Sequence, residues 1–95
     1  DNLPVILMGD FNLEDNNPTI KNLQKYLTDV QFNIDRSNKY YGTFTGFKHS
    51  KIIEKRIDYI FVKNIKVNQS KHVHLKTPIN GWASDHHPVL TTLKF

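Results

Sequence analysis

The amino-acid sequence predicts an α/β chain that forms half of a layered sandwich rather than a complete doubly wound fold. Three observations predict it. About four or five apolar, β-rich stretches alternate with polar turns. One segment alone has helical periodicity. The chain is only 95 residues long, enough for at most one small domain that buries about 60–65% of its unfolded surface.

The elements follow in order. Residues 3–8 read L-P-V-I-L-M and stop at Gly9, a continuous apolar run that predicts a strand buried on both faces. Pro4 suits its first position, where a missing N–H matters least. Asn17-Pro18 reads as a helix cap followed by the first helical residue. Ile20, Leu23, Tyr26, Leu27 and Val30 recur at helical spacing and are expected to pack inward, with Lys21, Asn22, Gln24 and Lys25 outside. Residues 33–41 are polar and predict a loop. Thr43-Phe44-Thr45 predicts a short strand closed by Gly46. Residues 56–63 (R-I-D-Y-I-F-V-K) are apolar on both faces except for Asp58. A further strand is expected over 67–75, a loop over 78–83, and a last strand over 88–95.

Composition narrows the function. Thirteen Lys and Arg against nine Asp and Glu give a net charge of +4, which favours an anionic partner such as nucleic acid, a phosphoester or an acidic surface. The absence of cysteine excludes disulfides and thiolate zinc sites. The longest apolar run is too short to span a bilayer. No signal or transit segment opens the chain, and the apolar run begins almost at once, so further residues are expected upstream.

Four polar groups stand where strands end or are interrupted. Gly9-Asp10-Phe11-Asn12 follows the first strand, a position that faces a crevice in open α/β sheets. Asp10 can take a proton or bind a metal, and Asn12 can donate to a phosphoryl oxygen; a plain turn with side chains bonded to their own backbone explains the same residues. Asp58 interrupts an apolar strand, where a carboxylate needs a partner. Arg56, two positions away on the same face, is one candidate, and a histidine oriented by Asp58 is the other. Ser84-Asp85-His86-His87 precedes the last strand and suits cation binding combined with phosphate contact or proton transfer; a solvated polar loop is the alternative. Thr43-Phe44-Thr45-Gly46-Phe47 offers aromatics for the core, or for stacking on a base or sugar. His72 and His74 alternate on an expected strand and share a face, but two local ligands fall short of a zinc site.

In this order, G-D-F-N, T-F-T-G-F, R-I-D-Y-I-F and S-D-H-H-P-V resemble the C-terminal half of the endonuclease/exonuclease/phosphatase, or DNase I-like, superfamily, over residues 3–95. The resemblance implies half of a four-layer α/β sandwich with mostly antiparallel or mixed sheet and one or two helices. It implies Mg²⁺- or Mn²⁺-dependent hydrolysis of phosphodiesters or phosphomonoesters. Carried over by motif, Asp10 orients or deprotonates the attacking water and Asn12 holds the phosphate. Asp85, together with Asp10, binds the metal. His86 contacts the scissile phosphate, with Asp58 hydrogen-bonded to it. Phe44 and Arg56 are the further substrate-binding residues expected, and His87 has no assigned role.

The resemblance also implies that residues 1–95 are the C-terminal part of a domain whose N-terminal half, with an early Asn and a metal-binding Glu, is absent. Glu14 does not replace that Glu. The chain alone is therefore expected to bind metal weakly, to turn over little, and to expose an apolar face open to self-association. The basic stretch Lys48, His49, Lys51, Lys55 and Arg56 suits a nucleic-acid backbone, a phosphorylated small molecule or a lipid headgroup equally. A non-catalytic basic module that binds nucleic acid, or a self-assembling half-domain, is the competing reading.

Overall fold

The computed structural model describes residues 2–32, 34, 41–47, 53–74, 76–78 and 81–95. Strands dominate, all paired antiparallel, with very little helix. The sheet that carries the core has the order β1-β3-β2. Its strands are β1 (Val5–Asp10), β2 (Thr28–Asp29) and β3 (Asp58–Lys63). A second sheet pairs β4 (Lys66–His72) with β7 (Val89–Lys94). A small hairpin joins β5 (Lys76–Thr77) to β6 (Gly81–Trp82). Part of the segment expected to be a loop over 78–83 is thus a strand; Ile79 and Asn80, like Leu75 at the expected end of β4, lie outside the described residues.

The single helix among the described residues, α1 (Pro18–Leu23), begins as the sequence predicts. The Asn17 side chain accepts the Thr19 N–H at 2.9 Å, and Pro18 takes the first helical position. It ends sooner than its apolar spacing implies. Tyr26 is exposed, and Val30 is buried from beyond β2 rather than from a helical face. The apolar positions continue across the turn into β2, so their spacing imitates a longer helix.

β3 is the central strand. Tyr59 and Phe61 sit two residues apart, share one face, and are buried with Ile20 of α1; Phe11, Leu13, Leu23 and Leu27 pack around them. The Phe11 ring meets Tyr59 edge-on at 5.6 Å. Each such burial contributes about 1.5–3 kcal/mol.

β1 is not buried on both faces. Val5, Ile6, Leu7 and Met8 are between 38% and 66% exposed. β1 is an edge strand, bonded to β3 on one side, and the described residues cover neither of its faces. Thr43-Phe44-Thr45 likewise forms no ladder of its own: Phe44 makes isolated bridges to Lys55 and His86. No described helix is long and apolar enough to cross a membrane.

Candidate active site

The antiparallel register sets Asp10, the last residue of β1, directly opposite Asp58, the first residue of β3. Asp58 therefore stands at the mouth of its strand, not in the middle of an apolar run. Directly opposed like charges repel, and here an imidazole stands between them. His86 Nδ1 lies 2.8 Å from Asp58 Oδ2, and His86 Nε2 lies 3.9 Å from Asp10 Oδ2. The hydrogen bond to Asp58 raises the His86 pKa above its ordinary value; partial burial opposes this, and the charges of Asp58, Asp85 and Asp10 add to it. One ligating atom from each of Asp10, Asp58 and His86 falls within 4.8 Å of the others.

Local chemistry aims these groups. Asn12 adopts a left-handed backbone (φ 54°), which Asn tolerates better than most residues. Its N–H donates to Asp10 Oδ1 at 2.8 Å. The Asx turn offered as the bland explanation of G-D-F-N is thus present, and it is also what orients the carboxylate. Phe11, between the two, turns into the core. On the other strand-end loop, the His86 N–H donates to Ser84 Oγ at 3.2 Å. The Phe44 ring meets the His86 imidazole edge-on at 5.2 Å.

Two cavities flank the cluster. One, of about 400 Å³, is lined by Asp10, Asn12, Glu14, Phe44, Lys55 and His86 among others. The other, of about 420 Å³, lies between Asp10, Asp58 and His86 and the start of β7. The structure thus gathers Asp10, Asn12, Asp58, Phe44 and His86 in one place. Asp85 sits in the same loop as His86, but its carboxylate is outside the 4.8 Å group; its carbonyl accepts the Thr45 and Gly46 N–H groups at 2.7 and 3.2 Å.

Arg56 is elsewhere. It is buried and forms a bidentate pair with buried Asp29, Nη1–Oδ1 3.1 Å and Nη2–Oδ2 2.5 Å. Asp15 lies 3.6 Å from the same guanidinium, and Tyr41 donates to Asp15. Burial is the largest single influence and opposes the Arg56 charge; the Asp29 hydrogen bond and the charges of Asp29, Tyr59 and Asp15 together outweigh it and hold the guanidinium pKa above its ordinary value. Arg56 is therefore neither the partner of Asp58 nor exposed to a ligand at Asp10. Of the basic stretch, Lys55 is exposed, and Lys48, His49 and Lys51 lie outside the described residues.

His72 and His74 both lie near enough to His87 for their charges to act on it. β4 ends at buried His72, while the His74 ring stacks on His87 at 3.9 Å, with Trp82 edge-on to both. Among the described residues these imidazoles form no metal-ligating group. Sequence reasoning missed Asp15 and Asp29, whose partners Tyr41 and Arg56 come from distant segments.

The endonuclease/exonuclease/phosphatase family model matches residues 1–86. The chain belongs to this family. A solved family-like structure, a mannosyl-6-phosphatase from Bacteroides thetaiotaomicron, is similar with 30% identity and a TM-score of 0.79, over 99% of this chain and 39% of that one. A conserved protein of unknown function from Enterococcus faecalis is similar with 33% identity and a TM-score of 0.75, over 96% of this chain and 36% of that one. The chain thus spans little more than a third of each of these family relatives. None of the curated proteins matches it.

Proposed function

We propose that this chain carries one side of the active site of a divalent-metal phosphoester hydrolase. The observation that carries the reading is the Asp58–His86–Asp10 cluster at paired strand ends, beside two cavities. The raised pKa favours imidazolium. With Nδ1–H given to Asp58, the Nε2–H is left to donate to a phosphoryl oxygen. Asp58 holds that ring in orientation. Asp10, half-exposed and already fixed through Oδ1 by Asn12, accepts the proton of the attacking water. The Asn12 carboxamide donates to a second phosphoryl oxygen.

Asp10 and Asp85 would hold the cation. Their oxygen donors fit Mg²⁺ or Mn²⁺, since Mg²⁺ keeps several waters and needs only one or two carboxylates. Bound there, the cation supplies Lewis-acid charge against the developing phosphoryl oxyanion. The absent segment of the longer relatives would cover β1, complete the metal ligands and supply the second half of a four-layer sandwich.

The substrate we propose is a phosphomonoester of a small polyhydroxylated alcohol. The cavity beside Asp10 offers the carboxamides of Asn12, Asn16 and Asn17 and the Glu14 carboxylate around the Phe44 ring, groups suited to sugar hydroxyls. Glu14 offsets the charge of Lys55 in that cavity, and Arg56, paired with Asp29, is withdrawn from any nucleic-acid backbone. The similar mannosyl-6-phosphatase supports the same substrate class. The test is hydrolysis of hexose 6-phosphates, p-nitrophenyl phosphate and an oligonucleotide by the full-length protein that carries this chain. Activity on the sugar phosphates, abolished by chelation, restored by Mg²⁺ or Mn²⁺, and cut about 10²–10⁴-fold by Asp10→Ala or His86→Ala, is the expected result. Unchanged turnover in either variant refutes the assignment.

A further inference from the structure

The segment Thr43-Phe44-Thr45 drew attention for its aromatic ring, yet its most constrained member is Thr43, with no exposed surface. Its N–H donates to the Lys55 carbonyl at 2.8 Å. Its Oγ1 accepts two successive backbone N–H groups, from Ile57 at 3.0 Å and from Asp58 at 3.1 Å. Its carbonyl accepts the His87 N–H at 2.6 Å. One residue is therefore bonded to the backbone of Asp58 and to the backbone immediately after His86. The Asp58–His86 hydrogen bond closes the ring that Thr43 begins.

The neighbours hold this residue in place. Gly42 passes so close to Ile53 that an added Cβ would meet the Ile53 carbonyl oxygen at 2.6 Å. Phe44 bridges Lys55 on one side and His86 on the other. Thr45 Oγ1 donates to the Ser84 carbonyl at 3.1 Å. A hydroxyl oxygen has two lone pairs and can accept both N–H groups, whereas the methyl that valine would put in its place has none.

We infer that Thr43 is a positioning residue, whose hydroxyl and carbonyl together set the separation between the Asp58 carboxylate and the His86 imidazole. The inference rests on the reading of that pair as part of a phosphoester-hydrolysing site. Two buried N–H groups deprived of their acceptor must move to find another, and they carry Asp58 with them. Displacement of a reacting group by about 1 Å lowers turnover by about 10²-fold.

The test compares Thr43→Val, which keeps the shape and removes the acceptor, with Thr43→Ser, which keeps the acceptor, in the full-length protein. Thr43→Val is expected to lower kcat by about 10–100-fold at nearly constant KM, and Thr43→Ser to stay within about threefold of the parent. Proton NMR reads the geometry independently of turnover: the downfield His86 Nδ1 proton, identified by its loss in Asp58→Asn, is retained in Thr43→Ser and lost or shifted in Thr43→Val. If Thr43→Val does not fold, Thr43→Cys replaces it, since a longer, weaker sulfur acceptor gives a smaller change in the same direction. A lowered Tm with kcat and the proton signal both unchanged overturns the inference, as does equal loss in the serine and valine variants. A proton signal that follows Thr43 in a protein with no phosphoesterase activity supports the positioning role and refutes the functional reading instead.

Discussion

The His86 imidazole is held against Asp58 at 2.8 Å while its other nitrogen faces Asp10 at 3.9 Å. Asp58 belongs to β3 and Asp10 to β1, so the two-strand register sets the carboxylates opposite each other, and the loop before β7 brings the ring to them. Asp58 is the larger cause of the raised His86 pKa.

Asp58→Asn removes that charge and lowers the His86 pKa. Turnover that needs imidazolium falls as pH rises through this pKa, so the alkaline limb of the pH–rate profile moves to lower pH. At neutral pH kcat drops by about 10²-fold. Rates measured across pH 5–9 on parent and variant decide it; superimposable profiles contradict the role of Asp58.

Arg56 and Asp29 give the opposite expectation. Both are buried and mutually paired. Arg56→Met leaves a buried carboxylate without its bidentate partner and costs about 3–5 kcal/mol, whereas replacing both residues by apolar ones costs less. Urea unfolding of the single and double variants measures this. Turnover per folded molecule changes little, because neither side chain reaches the Asp10 cluster; a selective loss of kcat in Arg56→Met would restore it to the substrate-binding residues.

The candidate site was legible in the sequence as polar residues that interrupt or flank apolar strands. Asp58 stood out because a carboxylate on an apolar strand is expensive without a partner; Asp10, Asn12 and His86 stood out by the order of their motifs, since a plain turn and a solvated loop explained them equally well one at a time. Their partners were less legible. Asp29 meets Arg56 across 27 positions, and no local pattern selects it over nearer Asp58. Thr43 was hidden by its aromatic neighbour, since a buried hydroxyl and a surface one look alike in sequence. The first strand misled for another reason: an apolar run states what a strand favours as surroundings, not what covers it. The short helix misled because apolar spacing does not register that the chain has turned into β2.

His87 sets a limit on acid stability. It is buried between His74 and Trp82, and burial, followed by the charges of His74 and His72, lowers its pKa to about 4. The unfolded chain takes up this proton near pH 6.5, the folded chain near pH 4. Stability is therefore complete above about pH 6.5 and is lost as pH falls through that window, by an amount on the order of 3 kcal/mol. Urea midpoints between pH 4 and 7 should show this slope, and His87→Phe should flatten it. An unaltered slope in that variant would assign the acid loss to other groups.

Val5, Ile6, Leu7 and Met8 leave apolar surface on both faces of an edge strand whose outer hydrogen-bonding groups no described strand pairs. Such an edge recruits another chain unless it is covered or charged. The 95-residue chain by itself is expected to self-associate in sedimentation runs at rising concentration. Ile6→Lys places an ammonium on that edge and shifts the population toward monomer. The same change alters unfolding free energy by no more than about 0.5 kcal/mol, as at other exposed positions. In the full-length protein the outcome reverses if the absent segment covers β1: Ile6→Lys then buries a charge, lowers Tm and reduces activity. A clean monomer for the unsubstituted short chain, together with indifference of the full-length protein to Ile6→Lys, would mean that β1 is an exposed edge in its native setting.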